Sequence, residues 1–172
     1  MAIRYLKMAL IACVALLSLF YATQNVVNLE SAYQAVAYVS SLTDHDVYPA
    51  SFGPALAQPA FVWASLLLII LGEYAAGLLA AKGVWDLWKA RRRSVEAFQA
   101  AKTYALLGAG TACLVWFGLF AVVGGAYFQM WQTEAGRASL EGAFQFAGMS
   151  ALVLIFTNMA DQPVGSPESR AV

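Results

Sequence analysis

The chain is poor in charged residues, and the charges that it has balance. Only 12% of its 172 residues are Asp, Glu, Lys or Arg, with ten basic and ten acidic side chains. A nucleic-acid-binding protein needs an excess of Lys and Arg, so this class is excluded. The chain is 61% hydrophobic. Disordered chains are poor in aromatic and β-branched residues, so a disordered protein is excluded as well. A small soluble domain needs a larger share of polar residues for its surface than this composition provides. The class of protein that remains is therefore an integral membrane protein.

Residues that carry metal or covalent chemistry are scarce too. Cys13 and Cys113 lie in separate apolar runs, and His45 is the only histidine. Disulfide frameworks, metal sites and bis-histidine haem sites need clustered or paired ligands. We find no nucleophile beside a base in any apolar run, no phosphate loop and no dinucleotide motif. The sequence therefore predicts no enzyme and no metal site, and it indicates no particular cofactor.

Four apolar stretches are long enough to cross a bilayer as helices, at about residues 5–23, 60–81, 103–128 and 142–160. We therefore predict an all-α fold, a four-transmembrane-helix bundle in one domain over residues 1–160. Residues 24–58 form the longest loop, where Leu29, Tyr33 and Val36 predict a short external helix at the membrane interface. Residues 161–172 are predicted to be a disordered cytoplasmic tail.

The basic residues predict the orientation of the spans. Nine of the ten lie on the side of both termini, and only Arg137 lies on the other side. Positive charge is enriched on the cytoplasmic side, so both termini are expected in the cytoplasm. The triplet Arg91, Arg92 and Arg93 follows a span closely. It either binds anionic lipid head groups or only determines the topology.

Glu73 is the only charged residue deep within a span. It lies about 3 residues from the midpoint of the second span, hence within about 5 Å of the bilayer centre. Ala76, Gly77 and Ala80 share its helix face and allow close helix packing, so Glu73 should face protein rather than lipid. It is either a proton or cation site or a structural hydrogen-bonding group. Its candidate hydrogen-bond partners are Gln145, Thr111 and Asn158.

The most distinctive motif closes the third span. It comprises Gly124, Gly125, Ala126, Tyr127, Phe128, Gln129, Met130, Trp131 and Gln132. The paired glycines permit close approach, and the aromatic residues suit a membrane interface. A weaker pattern follows the first span, comprising Asn25, Val36, Val39 and Leu42.

With these motifs the chain resembles the bacterial "predicted small integral membrane protein" family (domain of unknown function 2165). The family's motif has glutamate, tryptophan and serine where this chain has Ala126, Tyr127 and Thr133, and an aspartate where it has Asn28. Any role of that glutamate is therefore in doubt here. The resemblance implies a four-span fold in the bacterial inner membrane, and it implies no established activity.

The expected function is that of a non-enzymatic accessory or scaffolding subunit of a larger inner-membrane complex. Two stripes of small residues suit helix packing, one at Gly72, Ala76 and Ala80 and one at Gly118, Ala121 and Gly125. Other membrane protein subunits and the lipid bilayer are the expected partners. The alternative is a small transporter or channel with Glu73 in its pathway. A quinone, carotenoid or lipid has room between the aromatic helices, but aromatic-rich spans more often serve helix packing, so no cofactor is predicted.

Overall fold

The structure, a computed structural model, describes residues 1–161 and contains no strand within them. Its α-helices are α1 (Ala2–Val27), α2 (Leu29–Ser40), α3 (Pro59–Ala90), α4 (Val95–Ala100), α5 (Thr103–Cys113) and α6 (Glu134–Asn158). Helix α5 continues as a π-helix over Leu114–Tyr127, and a 3₁₀ turn follows at Met130–Gln132. Four helical segments are long and apolar enough to cross a membrane. The prediction of an all-α, four-span membrane bundle is therefore confirmed.

The helices extend beyond the apolar stretches that revealed them. Helix α1 continues four residues past Thr23, and α3 continues nine residues past Ala81. Helix α6 begins eight residues before Gly142, where the Thr133 hydroxyl caps it by accepting a hydrogen bond from Gly136 N at 3.1 Å. Charged residues such as Lys82 end an apolar stretch, but they are good helix formers. Hydropathy therefore locates a span but underestimates the length of its helix.

Helix α3 is the centre of the bundle and packs against both α1 and α5. A Cβ atom on Gly83 would collide with the Ala105 backbone, and one on Gly108 would collide with the Ala80 backbone. Helices α3 and α5 are thus in backbone contact, which only glycine permits at these two positions.

The two ends of the bundle differ in chemistry. One end is here called the basic end. There Arg4 of α1 donates hydrogen bonds to the Arg91 and Arg93 carbonyls at 3.1 and 2.8 Å, and these bonds connect α1 to the turn after α3. The opposite end, here called the cap end, comprises α2, residues 41–58 and the 3₁₀ turn. Helix α2 packs on the start of α3, with the Tyr33 and Trp63 rings 4.8 Å apart.

The predicted tail lies almost entirely outside the described residues, which end at Asp161. Asp161 itself is held in place, because its carboxylate forms ion pairs with Lys7 and Lys102. The prediction of a tail is thus confined to residues 162–172.

Candidate functional site

Glu73 lies on the buried face of α3 and is 1% exposed. Its neighbours Ala76, Gly77 and Ala80 are buried on the same helix. Gly77 lies against Ala15 and Leu19 of α1, since a Cβ there would be 3.2 Å from the Ala15 carbonyl oxygen. The small residues after Glu73 therefore bring α1 close to α3, and Glu73 faces protein.

Asn25 is the hydrogen-bond partner of Glu73. Its amide nitrogen donates to Glu73 Oε2 at 2.9 Å. Asn25 meets Glu73 because α1 remains helical to Val27, beyond the end of the predicted span. Among residues 1–161, no other side chain donates a hydrogen bond to this carboxylate.

None of the three partners that the sequence suggested bonds to Glu73. Thr111 donates instead to the Leu107 carbonyl of its own helix at 2.8 Å. Gln145 and Asn158 are both exposed on α6. The prediction of these partners was wrong, because it assumed that α1 ended at Thr23 and so omitted the polar residues of its last turn.

A cavity of about 550 Å³ extends from Glu73 toward the cap end. Residues from α1, α2, α3, the π-helix and α6 line it, so it lies inside the bundle rather than on one helix. Its walls are mainly apolar, and Asn25 and Glu73 are among its few polar residues. Leu68 lines it and is 57% exposed, so the cavity reaches the apolar surface of α3. Ligand sites commonly have this combination of apolar walls and a few convergent polar groups.

Three aromatic rings form one wall of the cavity. Trp116 of the π-helix is 2% exposed, and its ring centroid lies 6.3 Å from that of Tyr21 and 5.5 Å from that of Phe146. The Tyr21 and Phe146 rings are 4.9 Å apart. These contacts connect α1, the π-helix and α6 around the cavity. Trp116 therefore belongs to the candidate site, although the sequence showed only a tryptophan in mid-span.

The motif at the end of the third span builds the cap end. Gln132 Oε1 accepts hydrogen bonds from Val47 N at 3.1 Å and Tyr48 N at 2.7 Å. The Tyr48 ring meets the Trp131 ring edge-on, with centroids 5.4 Å apart. Gln132 and Trp131 thus fix the loop of residues 41–58 to the bundle.

The first half of the motif is used in close packing. A Cβ on Gly124 would lie 2.5 Å from Met130 Sδ, and one on Gly125 would lie 3.2 Å from Leu140. Tyr127 stacks edge-on against Phe52, with centroids 5.1 Å apart. Ala126, which stands in place of the family glutamate, is exposed. Within the described residues, the motif therefore organises the loop and the end of the π-helix.

A buried ion cluster at the basic end was not predicted. Lys7, Lys102 and Asp161 have side chains that are only 1–3% exposed, and both ammonium groups pair with the Asp161 carboxylate. The Met159 carbonyl also accepts hydrogen bonds from Lys7 at 2.7 Å and from Lys102 at 2.9 Å. The sequence could not reveal this cluster, because its members are about 60 to 150 positions apart.

The three consecutive arginines differ in their surroundings. Arg91 is half-buried, with its guanidinium 4.0 Å from the Trp88 ring centroid, and it donates to the Trp88 carbonyl at 2.6 Å. Arg92 and Arg93 are exposed. Two of the three side chains are therefore open to a ligand at the surface.

Metal-binding side chains do not cluster in the described part of the chain. No group of three or more His, Cys, Asp and Glu residues within 1–161 is placed to hold an ion. Cys13 and Cys113 are both free thiols. We take the cavity next to Glu73 as the candidate site.

Comparison with known proteins gives one match. The model of a family described as "Predicted small integral membrane protein" matches residues 3–160. Neither the curated proteins nor the solved structures gave a match. The match covers all four membrane-spanning segments and the motif of Gly124 to Gln132, so the chain belongs to the predicted small integral membrane protein family.

Proposed function

We propose that this protein is a non-enzymatic accessory or scaffolding subunit of a larger complex in the bacterial inner membrane. The observation that carries the proposal is a contrast among the glycines of its helices. Gly77, Gly83 and Gly108 lie against neighbouring helices, so their small size serves the fold. A Cβ on Gly118 or Gly148 would meet nothing within 4 Å.

Glycine weakens a helix unless close packing uses its lack of a side chain. Gly118 and Gly148 have no such use within the described residues, whereas Gly125 of the second small-residue stripe packs against Leu140 inside the chain. A helix from another subunit would use both positions. The first stripe does not support a partner, because Ala76 and Ala80 are buried within the chain itself.

The test is purification from native membranes in a mild detergent, followed by native mass spectrometry. We expect a complex of defined stoichiometry that Gly118→Leu and Gly148→Leu dissociate. Ala75→Leu, which enlarges an exposed position on α3, is the matched control and should retain the complex. A single monodisperse monomer from wild-type membranes would contradict the subunit function.

The proposed orientation places the basic end in the cytoplasm, with both termini there. Arg4, Lys7 and Lys102 are brought to one end of the bundle with the Arg91–Arg93 turn, in accordance with the enrichment of positive charge on the cytoplasmic side. A phosphatase fused after Pro54 should be active if the cap end is periplasmic. If the fusion protein has normal abundance but its phosphatase is inactive, the cap end lies in the cytoplasm and the proposed orientation is wrong.

We also propose that Arg92 and Arg93 hold an anionic lipid at the cytoplasmic surface. Each basic residue contributes about 1 kcal/mol to such binding. The double variant Arg92→Ala, Arg93→Ala should therefore bind phosphatidylglycerol with an affinity about 30-fold lower. Native mass spectrometry of the lipid retained by the protein measures this change. Arg137→Ala, at the cap end, should leave this retention unchanged. Equal retention in the double variant would leave these arginines as topology determinants only.

A second candidate function, a small transporter or channel, is favoured by the cavity that ends at Glu73. It predicts flux of a solute or of protons in liposomes that is lost in Glu73→Gln. Retention of wild-type flux in that variant would remove Glu73 from the pathway.

A further inference from the structure

The cavity next to Glu73 has the size of a single-chain lipid-like molecule. It holds about 550 Å³. Pockets for small organic molecules commonly have volumes of about 300–1,000 Å³, so the cavity has room for one molecule of single-chain size. A two-chain phospholipid is far larger than this, and a lone ion would leave most of the cavity empty.

The walls of the cavity suit a hydrocarbon tail. Leu66, Trp116, Phe120 and Phe146 are among the apolar side chains that line it. Filling such a space with an apolar chain contributes about 25 cal/mol for each Å² of apolar surface removed from water. The opening beside exposed Leu68 would admit a tail from the lipid phase.

Glu73 supplies an incompletely satisfied polar group in this cavity. A carboxylate can accept about four hydrogen bonds, and among residues 1–161 only Asn25 donates one from its side chain. Tyr21 and Ser65, which both carry a hydroxyl group, are among the residues that line the same cavity. No hydrogen bond joins these hydroxyls to another side chain of the described region. Glu73 is 1% exposed and lines the cavity, so a donor inside the cavity can reach its remaining acceptor sites.

We propose that this cavity binds a single-chain amphiphile whose head group carries an amine or a hydroxyl. The head group donates a hydrogen bond to Glu73 next to Asn25, and the tail lies among the aromatic residues. An amine binds more tightly than a hydroxyl, because its ammonium group adds the attraction between opposite charges to the hydrogen bond with the Glu73 carboxylate. This binding site is independent of the subunit function proposed above.

The test uses octadecyl probes with two bromine atoms at mid-chain, which quench tryptophan fluorescence. One probe carries an amine, one a hydroxyl and one a methyl ester, which cannot donate a hydrogen bond. Each is titrated into the full-length protein in nanodiscs. Trp116 lines the cavity. The part of the fluorescence quenching that disappears in Trp116→Phe therefore reports binding in the cavity. We expect saturable quenching of Trp116 in the order amine, hydroxyl, methyl ester.

Two pairs of variants test the anchor and the cavity separately. Glu73→Gln removes the charge at nearly constant size and should weaken amine binding about 10-fold or more. Glu141→Gln, outside the cavity, is its control. Ala35→Phe fills the cavity from α2 and should weaken all three probes, whereas Ala37→Phe on the same helix should weaken none.

Three results would overturn the proposal. The first is quenching of Trp116 that rises linearly with the probe and never saturates. The second is equal amine affinity in Glu73→Gln and in the wild type, which would show that Glu73 is not the anchor. The third is that Ala35→Phe and Ala37→Phe bind each of the three probes with the same affinity, which would place the bound probe outside the cavity.

Discussion

Replacement of Asp161 by Asn should destabilise the protein more than its position near the end of the chain indicates. Among residues 1–161, Asp161 is the only acidic partner in the buried cluster with Lys7 and Lys102, with Lys7 Nζ 3.3 Å from its Oδ1 atom. The cluster has two positive charges and one negative charge. Asp161→Asn leaves both ammonium groups buried without a counter-charge from residues 1–161, while the Met159 carbonyl still accepts a hydrogen bond from each.

Breaking a buried ion pair by removing one partner costs about 3–5 kcal/mol. A loss of 1 kcal/mol lowers the Tm of a protein of this size by about 2–4 °C. We therefore expect the Tm of Asp161→Asn in detergent to fall by about 6–20 °C. Circular dichroism at the helix band would follow the unfolding.

Two further variants test the charge argument. Lys102→Met leaves Lys7 and Asp161 as a neutral pair, so it should cost less than Asp161→Asn. Adding Lys102→Met to Asp161→Asn should recover part of the lost stability, because one unpaired ammonium remains instead of two. Asp86→Asn is the matched control, since its pair with Lys82 is partly exposed and worth at most about 1 kcal/mol. Equal Tm values for Asp161→Asn and Asp86→Asn would refute the reasoning.

Three further predictions concern the packing, the cap end and a tyrosine outside the membrane spans. Gly108→Ala should cost about 1–3 kcal/mol in detergent unfolding, whereas Gly110→Ala should cost nothing, because a Cβ at Gly110 would make an ordinary 3.6 Å contact. Gln132→Ala should speed hydrogen exchange of residues 47 and 48 without unfolding the helices, since it removes the acceptor of both amides; unchanged exchange would show that Gln132 does not hold the loop. The hydrogen bond to Asp44, with burial and the charge of Asp44, raises the pKa of Tyr38 above its ordinary value. This contribution to stability is present below the ordinary tyrosine pKa and is lost as the pH rises through the raised pKa. Ultraviolet titration, with Tyr38→Phe as the blank, should show a lower pKa for Tyr38 in Asp44→Asn, and an unchanged pKa would contradict this cause.

The sequence predicts the four spans because lipid imposes a simple requirement. Every backbone amide in the hydrocarbon core needs a partner, and about 20 apolar residues in a helix provide this. The basic residues then indicate which helix ends lie on the same side of the membrane. In the structure, Arg4 lies beside the Arg91–Arg93 turn. Both signals are local in sequence, so they can be seen without coordinates.

The contacts of the candidate site are not local, and sequence reasoning missed them for that reason. Glu73 was found because a charge in an apolar run is conspicuous. Asn25 was noted only in the weaker pattern after the first span and was not predicted as the partner of Glu73, because one polar residue just past a predicted span is ordinary at a membrane interface. The helical periodicity of α1, extended one turn beyond Thr23, is the signal that would have included it. The cavity depends on side chains from five helical segments, which no sequence pattern brings together.

The buried charges of the Lys7, Lys102 and Asp161 cluster and of Glu73 are satisfied to different degrees. At the basic end, Lys7 and Lys102 each have a carboxylate and a carbonyl as partners, so their burial is compensated within the chain. Glu73 is equally buried but has a single amide partner among the described residues, and it lies at a cavity. A fold that needed only helix packing here would place an apolar residue of similar size at this position, at little cost or with a gain in stability. This contrast supports the proposal that Glu73 interacts with a molecule that enters the cavity.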